Sequence, residues 1–393
     1  MIKSLYQWFR SAVVLCSLGA QHTANSQILG LTARVDTTQR EVNAIYQLVS
    51  HYLKAKPDSL YANPYWNATE TNYYFVRHHE KADLAAPFLF FGTTARQTFS
   101  AYKPTVLSIE PKGDKYVARI ILYAENPAKW ISESKWNPPF ILRYYAAKDA
   151  AGIWKLENAW ANVLAQWQTH ATPWIIFHYP ANFNFSVAKA HQASMFCDSV
   201  ATALKLTDAK PFDFYVMNSE EELGHLFNMD YWLAYNTGFT QKMYNRTLSG
   251  RGREQHLHEF VHMLYHPVKN YFLAEGIATY LGGVDGFTPY QQTMQAVADD
   301  LNKKYPNVRF KDLYTNAFKY ALNSNPRYAA GALVYELVYC KAGSAGFAEL
   351  EQSENNYESL LSHFSKVMHL RPEKADAFLN EALRKYPLNM AKR

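Results

Sequence analysis

Apolar and polar positions change their period several times along this chain. From about Asp36 to Leu53 apolar residues recur at helical spacing. From Thr105 to Trp160 the period falls to two. Val106, Ser108 and Glu110 alternate with Leu107 and Ile109, and β-rich runs follow at Tyr116 to Tyr123, Phe140 to Tyr145 and Trp154 to Trp160. Pro111-Lys112-Gly113-Asp114 and Lys148 to Gly152 supply turn chemistry between them. A second alternation follows, with a strand at Ile175 to Tyr179, a long helix at Ser186 to Leu206 and a strand at Pro211 to Met217. Asn218 or Ser219 then suits the N-cap of a helix opening with Glu220, Glu221 and Glu222. Beyond Pro289 nearly everything is helix-patterned, broken at Pro306, Asn323 to Pro326, Gly343 to Gly346 and Pro372. The pattern predicts an α+β chain: a helix-plus-antiparallel-sheet accessory domain over 28–165, a second α+β domain over 170–286 and a helical region over 287–393 that completes its cleft.

Composition narrows this picture. At roughly 100 to 200 residues per domain, 393 residues fit two or three domains. With 48% hydrophobic and 19% charged residues the chain can bury a sizeable core, which excludes a disordered chain. The net charge of +6 comes without a Lys/Arg run able to track a phosphate backbone, so no nucleic-acid partner is expected.

Lys3 and Arg10 precede an apolar stretch, Ala12 to Ala20, that is too short to span a bilayer, and small or polar residues follow it. Residues 1–26 therefore resemble a cleaved secretory signal, cut near Ala20 or Ser26, and predict an exported protein, periplasmic or secreted. Cys16 follows Leu15, where bacterial lipoproteins carry Gly or Ala, which speaks against a lipid anchor. No later run reaches the ~18 apolar residues of a membrane helix. Cys197 and Cys340 both lie in helix-like apolar patterns and fit buried thiols or one disulfide. Ile153-Trp154-Lys155-Leu156-Glu157 resembles the closing strand of the nuclear-transport-factor-2-like cone fold; it carries no catalytic motif, and an accessory or interaction domain is the plainer expectation for this region.

The chemistry concentrates in His258-Glu259-Phe260-Val261-His262. Positions four apart on a helix lie about 40° from one another, so both imidazoles point from one face toward a single point. Leu257, Phe260, Val261 and Leu264 form an apolar stripe, and Pro267 is expected to end the helix after His266. A catalytic zinc site needs a third protein ligand and an open position. His266 lies about 12 Å along the axis from His258, too far for both to reach one ion. A third histidine six residues past His262 is excluded by Val268. Asp285 stands in a glycine-rich, turn-like segment, whereas Glu275 opens a second helical pattern after twelve intervening residues, and is the better candidate.

The pair His258 and His262 with Phe272-Leu273-Ala274-Glu275-Gly276-Ile277-Ala278 resembles the gluzincin metallopeptidases of the peptidase-MA-like group, whose second helix carries a ligand glutamate in a W-L-x-E-G-x-A-like motif. Tyr328-Ala329-Ala330-Gly331-Ala332-Leu333 is similar to the Y-x-K-G-A-L segment of that superfamily, with Ala330 in place of Lys. The resemblance covers about Trp174 to Leu370. It implies a Zn²⁺ held by His258, His262 and Glu275, with Glu259 as general base and Tyr328 as oxyanion donor, acting on a peptide or protein substrate. Tyr265, His266 and Tyr280 are reserve candidates. The aminopeptidase G-x-M-E-N strand has no counterpart in Gly238 to Asn245, which lacks the acidic anchor, so an endopeptidase is expected rather than an aminopeptidase. That stretch also suits an edge strand able to pair with an extended peptide. The rival expectations are an exported, non-catalytic binding protein on a retired gluzincin scaffold and a zinc hydrolase acting on something other than a peptide.

Overall fold

A computed structural model describes residues 29–55, 63–86, 102–124, 139–232, 237–318 and 325–387. The signal-like residues 1–26 and Cys16 lie outside them. The fold is α+β. The chain divides into two compact units, Met1–Trp160 with Gly224–Leu233, and Ala161–Leu223 with Ala234–Arg393. The regions expected over 170–286 and 287–393 thus belong to one unit, and a short later segment, which the sequence places with the second, joins the first.

In the first unit, helix α1 (Arg40–Lys54) turns Val42, Ile45, Val49 and Leu53 inward, the positions its helical period marks. The sheet runs β1 (Gly30–Leu31), β2 (Tyr102–Lys112), β3 (Lys115–Ala124), β4 (Phe140–Lys148) and β5 (Trp154–Glu157) in that order, with β2 to β5 antiparallel to their neighbours and β1 parallel to β2. β5 pairs with Tyr145 to Lys148, and the free part of the same edge, at Ile141 and Leu142, receives β9 (Met229–Tyr231). A buried polar lock fixes this late insertion. Asn228, fully buried, donates from Nδ2 to Asp83 at 2.9 Å and to Asn158 at 2.6 Å, and accepts from the Ala159 N–H at 2.7 Å. Asp83 also accepts from the Tyr52 and Tyr144 hydroxyls, each at 2.6 Å, so this buried carboxylate is well supplied with donors.

The second unit holds a mixed sheet of β6 (Trp167–Ala171), β7 (Ile175–Pro180), β8 (Phe212–Val216), β10 (Gly238–Gln241) and β11 (Arg246–Ser249), ordered β10-β11-β8-β7-β6, with β10 on the edge. Ile175 and Phe177, with Phe212, Phe214 and Val216, send alternate side chains to one face, where α2 (Val187–Ala203) covers them with Ala190, Ala193, Cys197 and Val200. Cys197 is buried and Cys340 exposed, and the two do not form a disulfide. Helix α3 (Leu257–Leu264) carries the histidine pair and packs Phe260 against the Phe214 and Phe212 rings, at 4.9 and 5.5 Å between centroids. An adjacent face, through Val261, joins a helical core built from α4 (Tyr271–Gly282), α5 (Tyr290–Lys303), α6 (Phe310–Tyr314), α7 (Pro326–Ala342), α8 (Ala345–Leu350), α9 (Tyr357–Met368) and α10 (Pro372–Arg384). No helix among the described residues is long and apolar enough to cross a membrane.

Helix α3 stops at Leu264, two residues before the expected end. A residue preceding proline is driven out of the α region, which takes His266 from the helix, and Tyr265 already has extended dihedrals as the C-cap.

Candidate metal centre

Two packed faces fix α3, and the remaining side presents His258 and His262, their ring centroids 4.9 Å apart. Helix α4 supplies the third group. Its N-cap Asn270 accepts from the Phe272 N–H at 3.1 Å and is buried, its amide donating at 2.8 Å to the Glu354 carbonyl. At the far end of α4, Gly283 has φ +81°, and a Cβ there would stand 2.2 Å from the Thr288 carbonyl oxygen, so the tight turn admits only glycine. That turn aims the Gly283 carbonyl at His258 Nδ1, 3.0 Å away. A carbonyl only accepts, so Nδ1 carries the proton and Nε2 presents its lone pair outward.

Three donor atoms meet there. His258 Nε2 lies 3.2 Å from His262 Nε2 and 3.1 Å from Glu275 Oε2, and His262 Nε2 lies 3.7 Å from the same oxygen. A tetrahedral ion with ligands at ~2.0–2.1 Å needs them about 3.3 Å apart, so this donor set fits zinc. The His258 lone pair and the Glu275 carboxylate converge on one point with His262 Nε2, an acceptor-rich arrangement that a positive charge among them would stabilise. The protonation equilibria express the same demand. Burial disfavours the His258 imidazolium, but the bond to Glu275 and the charges of Glu259 and Glu275 outweigh it and raise its pKa. Burial likewise opposes ionisation of Glu275, yet His258 and His262 hold its carboxyl well below the usual range. Among the described residues these three side chains form the group of His, Cys, Asp and Glu able to hold a metal.

Glu259 faces the edge strand. Thr240 of β10 donates its hydroxyl to Glu259 Oε2 at 2.9 Å and also contacts the Glu259 carbonyl at 3.0 Å. Tyr328 reaches the cluster from α7. Gly276 and Gly331 place the α4 and α7 backbones in direct contact, since a Cβ at Gly276 would lie 2.7 Å from the Gly331 carbonyl carbon. This crossing carries Tyr328, one turn before Gly331, to Glu275, the neighbour of Gly276. The Tyr328 ring stacks on His258 with centroids 5.7 Å apart, and its hydroxyl meets that of Tyr271 at 3.1 Å. Burial, then the charge of Glu275, pushes its pKa up, which keeps the phenol protonated as a donor.

The reserve candidates are engaged elsewhere. Tyr265 donates to Glu351 at 2.8 Å, and His266 Nε2 meets the same carboxylate at 2.7 Å. Tyr280 packs on Tyr290 and Tyr339, its pKa pushed up to about 12 by burial first and then by Glu336. Asp285 caps its own turn, accepting from the Phe287 and Thr288 N–H groups and the Thr288 hydroxyl. Sequence reasoning missed Thr240 and Tyr271. Thr240 lies in the Gly238 to Asn245 edge-strand stretch, where periodicity assigns it no role, and Tyr271 stands one turn before Glu275, the spacing that signals it. No protein-family model matches the chain, and no curated protein resembles it significantly.

Proposed function

We propose that the chain is an exported zinc-dependent peptidase that cleaves internal peptide bonds. The observation that carries this reading is the convergence of His258, His262 and Glu275 donor atoms within 4.8 Å of one another, beside a glutamate held by an edge strand. Zinc in such a site supplies a Lewis acid and brings the pKa of water toward neutrality. Glu259, oriented by Thr240, takes a proton from the attacking water and returns it to the departing amine. Tyr328, neutral through burial, donates its hydroxyl hydrogen to the oxyanion that forms at the scissile carbonyl. The position of β10 at the edge of the sheet among the described residues suits an extended peptide paired by backbone hydrogen bonds, and the lack of an acidic group in Gly238 to Asn245 favours cleavage away from a free amine.

The test is hydrolysis of an internally quenched peptide library by the purified mature protein, with and without a chelator, beside Glu259→Gln. Expected are chelator-sensitive turnover and a variant that keeps its metal but loses activity. An unchanged rate in Glu259→Gln removes the general-base role. Absence of hydrolysis by the metal-loaded protein favours the non-catalytic binding protein.

A further inference from the structure

Next to the cluster stands a cation that neither the fold nor the proposed chemistry uses. Arg327 lies in the first turn of α7, where the Asn325 side chain accepts from its backbone N–H at 3.1 Å. A helix dipole disfavours positive charge in that turn, so local electrostatics give no reason for an arginine there. Its guanidinium carbon sits 5.1 Å from the centroid of the Tyr271 ring, whose hydroxyl meets Tyr328. Tyr271 is 46% exposed, so this ring and the cation stacked on it border solvent beside the Tyr328–His258 stack.

Among the described residues no carboxylate pairs with this charge, and Arg327 Nε is buried without a hydrogen-bond partner. The preceding residues 319–324, Lys-Tyr-Ala-Leu-Asn-Ser, carry no acidic side chain. By contrast, Arg384 of the same unit finds acceptors at the carbonyls of Leu301 and Val308. A guanidinium presents a rigid fork of donors that matches a carboxylate, and ring stacking pre-orders it without consuming those donors.

We propose that Arg327 is a specificity-determining residue whose guanidinium binds a carboxylate of the substrate, so that this site takes anionic peptides. The inference rests on the peptidase reading for its substrate and on the unpaired guanidinium for its chemistry. The carboxylate can come from a free C-terminus or from an Asp or Glu side chain near the scissile bond.

Three peptides of one sequence separate these sources: one neutral and amidated, one with a free C-terminus, and one amidated with a single Glu. Binding is measured by calorimetry on the Glu259→Gln protein, so that it does not depend on turnover, and again with Arg327→Met and Arg327→Lys added. One carboxylate peptide should bind roughly tenfold or more tightly than the neutral one. Arg327→Met should erase that preference without weakening the neutral peptide, and Arg327→Lys should keep part of it. Equal binding of all three peptides overturns the proposal, a comparison that needs no Arg327 variant to fold. Equal weakening of all three by Arg327→Met also overturns it, because that marks a packing role on Tyr271. A carboxylate preference in binding with no cleavage by the wild-type protein would fail the peptidase reading and leave the anion site standing.

Discussion

Gly331→Ala probes the helix crossing that assembles the site. The added Cβ would stand 2.7 Å from the Phe272 carbonyl oxygen, 2.9 Å from Gly276 Cα and 3.3 Å from Gly276 N, against the 3.4 Å or more of ordinary contacts. All three are backbone atoms, so no side chain can rotate away, and the helices must part by about half an ångström or more, given the 2.7 Å approach. Two effects oppose each other. Gly→Ala within a helix gains ~1 kcal/mol through propensity, while overpacking a close contact costs ~1–3 kcal/mol. The net expectation is a loss of about 1 kcal/mol, a fall in Tm of ~2–4 °C for a domain of this size. The site should suffer more than the fold, because Glu275 adjoins Gly276 and Tyr328 precedes Gly331 by one turn on the same two helices. Thermal denaturation followed by circular dichroism measures the first effect, and zinc titration with a competing chelator the second. A variant that gains stability and binds zinc as tightly as wild type would refute the backbone-contact account.

Thr240→Val should keep zinc stoichiometry but lower kcat about ten- to a hundredfold, the scale of a hydrogen bond to a charged group, because Glu259 loses its orienting donor; an unchanged kcat would remove Thr240 from the mechanism. Tyr328→Phe should cost roughly 10²–10³ in kcat, as removal of an oxyanion donor does, with little change in KM. In the first unit, burial raises the Glu70 pKa to about 8 against the hydrogen bonds from Asn158. A carboxyl whose folded pKa is raised is stabilised by folding only while neutral. Stability is therefore greatest below the unfolded value near 4.5 and falls as pH rises to about 8, by on the order of a few kcal/mol. Urea denaturation across that range should show the decline, and Glu70→Gln should flatten it; an unaltered slope in Glu70→Gln would assign the decline to other groups.

What the sequence made legible followed from local geometry. Four-residue helical spacing places His258 and His262 on one face whatever surrounds them, and Glu275 sits in a helical segment at a distance a loop can span. The longer strands of both sheets were visible because runs such as Val106 to Glu110 and Ile175 to Tyr179 alternate, whereas the short strands Gly30–Leu31, Trp167–Ala171 and Arg246–Ser249 were not. The insertion of residues 224–233 into the first unit was not visible. Its strand Met229–Tyr231 is too short to show a period, and its anchor, Asn228, works through buried partners some seventy and more positions away. Thr240 was hidden for a similar reason, since only the placement of β10 at the sheet edge beside α3 brings its hydroxyl to Glu259. Helix α3 ended early because the proline effect reaches back to His266, and the Tyr265 phenol finds Glu351, a partner that periodicity does not reveal.

The most direct test of the three-ligand centre is the zinc content of the purified mature protein beside Glu275→Ala, with circular dichroism to verify folding. About one tightly held ion per wild-type chain and strongly weakened binding in the variant are expected. A wild-type chain without zinc, or zinc held equally well without the Glu275 carboxylate, would contradict it.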